Sequence, residues 1–242
     1  MLNRTTLIQQ FEAFVSQYDL SDSRVLLKKE HSYRVAENCE RLAKELNLDV
    51  EFAYAMGILH DIGRFEQLKR YHTFHDAKSC NHAFLSADLL KEFGIHDSKL
   101  DFCIRWHSAY QLPECEESLR QMAELLRDAD KIDIIRVNAC SSFENIYGLP
   151  EKELYQTSIS PAVWQDLCAH QTVYQAHRKT AIDFRLSHVA FVYGLYYPQS
   201  KQLLDEQGSI WQMLDFTSQI PSVNQQLDQL RKEIERTIHN TN

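Results

Sequence analysis

Apolar residues recur along this chain at intervals of three and four. Leu7, Phe11, Phe14 and Tyr18 form one stripe, and Val35, Cys39, Leu42 and Leu46 form the next. Phe52, Met56 and Leu59 follow, then Leu85, Leu89 and Phe93, then Leu100, Cys103 and Ile104. A longer stripe takes in Leu119, Met122, Leu126, Ile134 and Val137. That spacing puts each set on one helix face, and no stretch alternates as a half-buried strand does. The pattern predicts an all-α fold.

The polar, turn-rich segment 138–160 predicts a division into a core, 1–137, and a helical C-terminal extension packed on it, 138–242. Ser160-Pro161 is a good N-cap and first-turn pair for a new helix. Ile182, Leu186, Val189, Tyr193 and Tyr196 make one stripe, and Phe184, Phe191 and Leu195 a second on the opposing side. A helix apolar on most faces is a buried one, and Pro198 is expected to end it. Val223, Leu227, Leu230, Ile234 and Ile238 mark a terminal amphipathic helix. Between Gly63, which reads as a helix stop, and the stripe that starts near His82 lies GRFEQLKRYHTFHDAKSCN. A connection of that length often serves as a functional lid. It carries Arg64 and the unassigned His72, His75 and Asp76.

Composition supports the helical reading, since 242 residues include only 6 Gly and 5 Pro. A net charge of -8 with no long basic run argues against gripping a phosphate backbone, so no nucleic-acid partner is expected. A small phosphorylated substrate stays compatible, because a bound metal inverts the local field. The six cysteines contain no C-x-x-C pair, and the N-terminus lacks a secretory apolar run. The longest apolar runs fall short of the roughly 20 residues that span a bilayer. A cytoplasmic protein without membrane contact is the expectation. Oligomeric state is left open, since the apolar C-terminal helix fits an internal or an intermolecular contact equally well.

The informative feature is where certain polar residues fall on these stripes. His31 lies one turn before Val35, His60 one turn after Met56, and His107 one turn after Cys103. His82 heads the stripe of Leu85, Leu89 and Phe93, and Asp130 follows Leu126 inside an apolar face. Side chains at such positions point inward. A single inward histidine is ordinarily a satisfied core residue, but a buried carboxylate needs a partner or a metal. Four histidines with Asp61 and Asp130 are explained together by one shared metal site. Imidazole and carboxylate suit manganese, iron, cobalt, nickel or zinc rather than calcium, as one or two divalent ions. On one helix, adjacent His60 and Asp61 would diverge by about 100° yet still reach an ion between them.

These residues also carry a resemblance. The order His31, His60-Asp61, Asp130 resembles the defining pattern of the HD superfamily of metal-dependent phosphohydrolases. ILHDIGRF looks like its HD-containing segment, and DADKID like the stretch holding its last aspartate. His82 in NHAFLSADLL and His107 in IRWHSAYQLP match the extra histidines of the dinuclear branch. The resemblance implies a five-helix HD core with added N- and C-terminal helices. It implies metal ligation by His31, His60, Asp61, His82, His107 and Asp130, and hydrolysis of a small phosphoester, such as a nucleotide, by a metal-activated water. The mononuclear nucleotidase branch uses HD-x-x-E, whereas position 64 here is Arg, which favours the two-metal form. Besides Asp61, Arg64 and Lys131 are candidates for stabilising charge on phosphoryl oxygens. Asp133, one turn beyond Asp130, is a candidate for orienting a ligand histidine. The same six-ligand set resembles that of HD-type diiron oxygenases, and a non-catalytic metal-binding regulatory module is the third reading.

Overall fold

The computed structural model describes residues 3–239, and all its regular structure there is helical. The chain forms two compact units, 1–130 and 131–242. No helix among the described residues is long and apolar enough to cross a membrane.

The first unit begins with α1 (Arg4–Val15), α2 (Ser23–Leu46) and α3 (Val50–Leu59). It continues with α4 (Ile62–Tyr71), α5 (His82–Leu89) and α6 (Ser98–Trp106). Short polar side chains start these helices: Asn3, Asp22, Asp49, Asn81 and Asp97 each accept a backbone N–H of the first turn. Each cap satisfies a donor that the helix cannot satisfy itself. Leu42, Met56, Leu59, Ile62 and Ile104 are fully buried, and Phe65 meets Phe11, Phe14 and Tyr18 ring to ring. A long helix, α7 (Glu117–Cys140), holds the division between the units, which falls just after Asp130.

The second unit goes on through α8 (Phe143–Tyr147), α9 (Lys152–Gln156), α10 (Pro161–Cys168) and α11 (Ala181–Val189). It ends with α12 (Pro198–Gln207), α13 (Ser209–Leu214) and α14 (Pro221–His239). The expected terminal stripe is buried as a set: Val223, Leu227, Leu230, Ile234 and Ile238 all face inward.

Two expectations at helix ends are corrected. Gly63 is not a stop but lies in the first turn of α4, so much of the supposed lid is helix. The residue is glycine because α4 and α5 touch there. A Cβ on Gly63 would stand 2.5 Å from the His82 carbonyl oxygen and 2.6 Å from the Ser86 nitrogen. Pro198 does not end the buried helix but opens α12 at its first position, where its missing N–H costs nothing. Helix α11 has already given way at Ala190 to a 3-10 turn, Ala190–Gly194.

Gly57 makes the equivalent contact between α3 and α2, where a Cβ would stand 2.5 Å from the Ala36 Cα. Both obstacles are backbone atoms and cannot swing aside. Gly57→Ala and Gly63→Ala are each expected to lower stability by about 1–3 kcal/mol. Thermal denaturation checks this, and an unchanged midpoint would show that the helices separate freely at these points.

Candidate metal centre

The predicted ligands arrive from five helices of the first unit. His31 points inward from α2, one turn after Lys28. His60 caps the C-terminal end of α3, His107 that of α6, and His82 is the first residue of α5. Asp130 comes from α7. His60 and Asp61 do not share one helix, as the sequence suggested. Asp61 sits at the break between α3 and α4, with φ -111° and ψ 16°, and its side chain makes no capping bond. Its carboxylate turns instead toward the four imidazoles.

The two carboxylate oxygens of Asp61 face different histidine pairs. Oδ2 lies 3.6 Å from Nε2 of both His31 and His60. Oδ1 lies 3.5 Å from Nε2 of His82 and 3.8 Å from Nε2 of His107. Within the pairs, the Nε2 atoms approach to 3.3 Å for His31 and His60 and 3.2 Å for His82 and His107. Asp130 Oδ1 joins the first pair, at 3.1 Å from His31 and 3.6 Å from His60. Three overlapping sets each bring their ligand atoms within 4.8 Å of one another: His31, His60 and Asp61; His60, His107 and Asp130; Asp61, His82 and His107.

The outer ring nitrogens fix the tautomers. Nδ1 of His60 donates to the Gly57 carbonyl at 2.7 Å, and Nδ1 of His107 to the Ile104 carbonyl at 2.6 Å. Nδ1 of His82 donates to Asp76 Oδ2 at 2.6 Å. With those protons outside, the inward Nε2 atoms of His60, His82 and His107 present lone pairs, as the hydrogen-bond network assigns them. Opposed lone pairs beside a buried carboxylate oxygen that accepts no hydrogen bond, Asp61 Oδ1, suit a cation. The residues fit the divalent metal that their types imply.

Charge in the pocket supports this. Burial alone would raise the Asp61 pKa, but the Lys28 ammonium, with His60, Arg64 and His82, holds it well below the carboxylate range. Burial would likewise raise that of Asp130, yet the imidazoles of His31 and His60 that face it keep it well below. His107 is pushed down to about 3 by burial and by its neighbours His60 and His82. At neutral pH the carboxylates are therefore ionised and His107 is neutral, which are the forms a metal takes.

Other expected residues fall elsewhere. Arg64 Nη1 donates to Asp76 Oδ1 at 2.9 Å, Gln67 Oε1 at 2.9 Å and the Phe74 carbonyl at 2.6 Å. Its Nε stands 3.6 Å from Asp61 Oδ1. Lys131 and Asp133 lie on α7 beyond the division, in the second unit. There Lys131 Nζ donates to the Gly194 carbonyl at 2.8 Å, and Asp133 is fully buried.

The sequence reading missed Lys28 and Arg127 and left Asp76 without a role. Lys28 Nζ is 2.7 Å from Asp61 Oδ2, and its place one turn before His31 was the available signal. Asp76 orients His82, and nothing in its local sequence marks that contact. Arg127, on α7, donates to the carbonyls of Trp106, His107 and Ala109 from Nη1 and to that of Tyr110 from Nη2. It thereby pins the chain on both sides of His107.

Residues 29–135, which hold all six predicted ligands, match the model of the HD domain family. Ribonuclease Y of Desulfotalea psychrophila is 35% identical over 101 residues, 41% of this chain and 18% of that protein. Ribonuclease Y of Mycoplasma mycoides subsp. mycoides SC is 32% identical over 109 residues, 45% of this chain and 19% of that protein. The chain thus spans less than a fifth of the length of these curated relatives. No solved structure matches it significantly.

Asp76 fixes the ring whose inner nitrogen faces the pocket. Asp76→Ala is expected to weaken metal binding by about 10–100-fold, with Arg127→Met acting in the same direction by loosening the chain at His107. Competition against a chromophoric chelator measures both. Wild-type affinity in Asp76→Ala would mean that His82 keeps its orientation without the carboxylate.

Proposed function

We propose that this chain is a metal-dependent phosphohydrolase with a two-ion centre, acting on a phosphoester. The observation that carries the proposal is Asp61, whose two oxygens are divided between two histidine pairs. Asp61 would help to hold two ions, with His31, His60 and Asp130 contributing on one side of it and His82 and His107 on the other. Bound divalent ions would supply the chemistry by acidifying a water and neutralising phosphoryl oxygens.

The chain's own part is orientation and charge. Asp61 and Asp130 offset the charge of the ions, and His82 and His107 receive their direction from Asp76 and the Ile104 carbonyl. Lys28 and Arg64 border Asp61 on the side of the 3-10 turn at Asp76–Lys78, and both guanidinium and ammonium lie 5.8 Å from the Phe74 ring. A phosphoryl group at the centre would meet two cations there. Arg64 is already shared with Asp76, so Lys28 is the freer of the two to follow a developing charge. Lys131 and Asp133 keep their proposed roles in charge stabilisation and ligand orientation as matters for substitution.

A second reading concerns the substrate. The curated relatives are named as ribonucleases, which favours an RNA phosphodiester over a small monoester. The net charge of -8 points the other way, toward a small molecule. Assay decides between them.

Metal per chain, measured by elemental analysis on wild type and His107→Ala, is the test. Both proteins are assayed on a generic phosphodiester, a phosphomonoester and a short RNA. About two ions falling toward one, with hydrolysis lost, is the expected result. Chelator should abolish hydrolysis in the wild type, and divalent ion should restore it. Absence of bound transition metal after supplementation would overturn the proposal. Tightly bound iron with oxygen uptake and no hydrolysis would move the chain to the oxygenase class.

A further inference from the structure

The carboxylate between the two histidine pairs is held by a cation of this chain. Lys28 Nζ donates to Asp61 Oδ2 at 2.7 Å, and that is its one hydrogen bond among the described residues. Oδ2 is also the oxygen nearest to Nε2 of His31 and of His60, each at 3.6 Å. Lys28 and His31 stand one turn apart on α2, so a single helix brings an ammonium and an imidazole to the same atom.

The cation on the other side of Asp61 is tied differently. Arg64 Nη1 donates to Gln67, Asp76 and the Phe74 carbonyl, and Arg64 Nε stays 3.6 Å from Oδ1, beyond hydrogen-bond distance. Oδ1 accepts no hydrogen bond. The two oxygens are therefore unequal: an ion held with His82 and His107 would meet an open oxygen, and one held with His31 and His60 would meet an ammonium. Lys28 also has room to leave. Its side chain is 17% exposed against 3% for Asp61, so the ammonium reaches the carboxylate from the solvent side. A lysine carries its charge on a flexible four-carbon stem, whereas the Arg64 guanidinium is fixed by its acceptors.

We propose that Lys28 is a resident counter-ion, which takes the charge position of one metal ion at Asp61 Oδ2 and is displaced when that ion binds. The inference rests on the two-ion reading above and concerns the ion on the His31 and His60 side. Two positive charges at one carboxylate oxygen repel, and burial enlarges the repulsion. A buried carboxylate with neither cation at Oδ2 would be left poorly compensated. Lys28 thus keeps Asp61 paired before loading and sets the affinity with which an ion must compete.

Zinc affinity of the full chain, measured by competition against a chromophoric chelator, tests this together with amine labelling. Lys28→Met is expected to bind zinc about tenfold or more tightly than wild type, and to melt several degrees lower once a chelator has removed the metal. Lys28→Arg, which keeps the charge, should bind zinc no more tightly than wild type. Lys29→Met, whose ammonium is paired with Glu12 instead, should match wild type in zinc affinity. In the wild-type chain, zinc should raise the reaction of Lys28 with acetic anhydride severalfold, read by mass spectrometry, and leave that of Lys29 unchanged. The labelling needs no variant to fold. Zinc affinity in Lys28→Met equal to or below that of wild type, or Lys28 labelling unmoved by zinc, overturns the proposal and leaves the two-ion reading intact. A wild-type chain that binds no transition metal overturns that reading, and the role of Lys28 with it.

Discussion

A carboxylate kept from water governs the first unit. Asp61 is 2% exposed and ionised, and an isolated buried charge of that kind would cost several kcal/mol or more. The chain disperses the charge over several groups: Lys28 at 2.7 Å, Arg64 at 3.6 Å, and imidazoles on both sides. The break between α3 and α4 frees both oxygens for this work, since a capping aspartate would spend one on a backbone N–H. Two glycines then set how closely the histidines can gather. Gly57 lets α2 and α3 touch near His31 and His60, and Gly63 lets α4 and α5 touch at His82. Backbone contact, charge and ligand geometry are therefore one problem with one solution, which is why small changes at the glycines reach the centre.

Around this lies a second layer of polar groups with equally little freedom. Gln67 is fully buried in α4 and donates to Asp76 Oδ1 at 2.9 Å, to Ser79 Oγ at 2.8 Å and to the Cys80 carbonyl at 3.0 Å. Against the effect of its partial burial, Asp76 is held at about 2 by His82 and then Arg64. It thus stays ionised while it holds the imidazole. Such networks are stabilising when every member is satisfied and costly when one is lost. The segment that the sequence presents as a long loop is in this sense part of the centre's scaffold.

Five of the six candidate ligands stand out in the sequence because each interrupts an apolar stripe at a helical position, and Asp61 stands out only beside His60 and through the resemblance. Inward polarity is a strong signal when it recurs. Helix α4 could not be read in the same way. Its buried positions Ile62, Phe65 and Leu68 are interleaved with Glu66, Lys69 and Arg70, and Gly63 looked like punctuation. The glycine's reason, contact with another helix, is invisible without that helix. The same holds for Asp76, whose partner His82 is close in sequence but reached across a turn, and for Arg127, which contacts carbonyls far back along the chain. The buried stretch after Ala181 carries apolar residues on two faces, so periodicity could not mark where α11 becomes 3-10 at Ala190.

The two signs of buried charge are handled differently in an all-helical protein. A carboxylate can be satisfied by backbone N–H groups, which every helix start leaves unpaired. Asp183 in α11 shows this, accepting from the N–H of Ser160, Lys179 and Thr180 and from the Ser160 hydroxyl. A guanidinium needs acceptors, and inside a helix the carbonyls are already used. Arginines buried in this fold are satisfied where chain ends leave carbonyls open. Arg127 collects those that follow α6, and Arg231 those of Leu214 and Phe216 at the end of α13. Arg185 finds only the Asn138 carbonyl near the end of α7, and Arg178 finds none. Supply of carbonyls therefore separates Arg127 and Arg231, which hold chain ends, from Arg178 and Arg185, which do not.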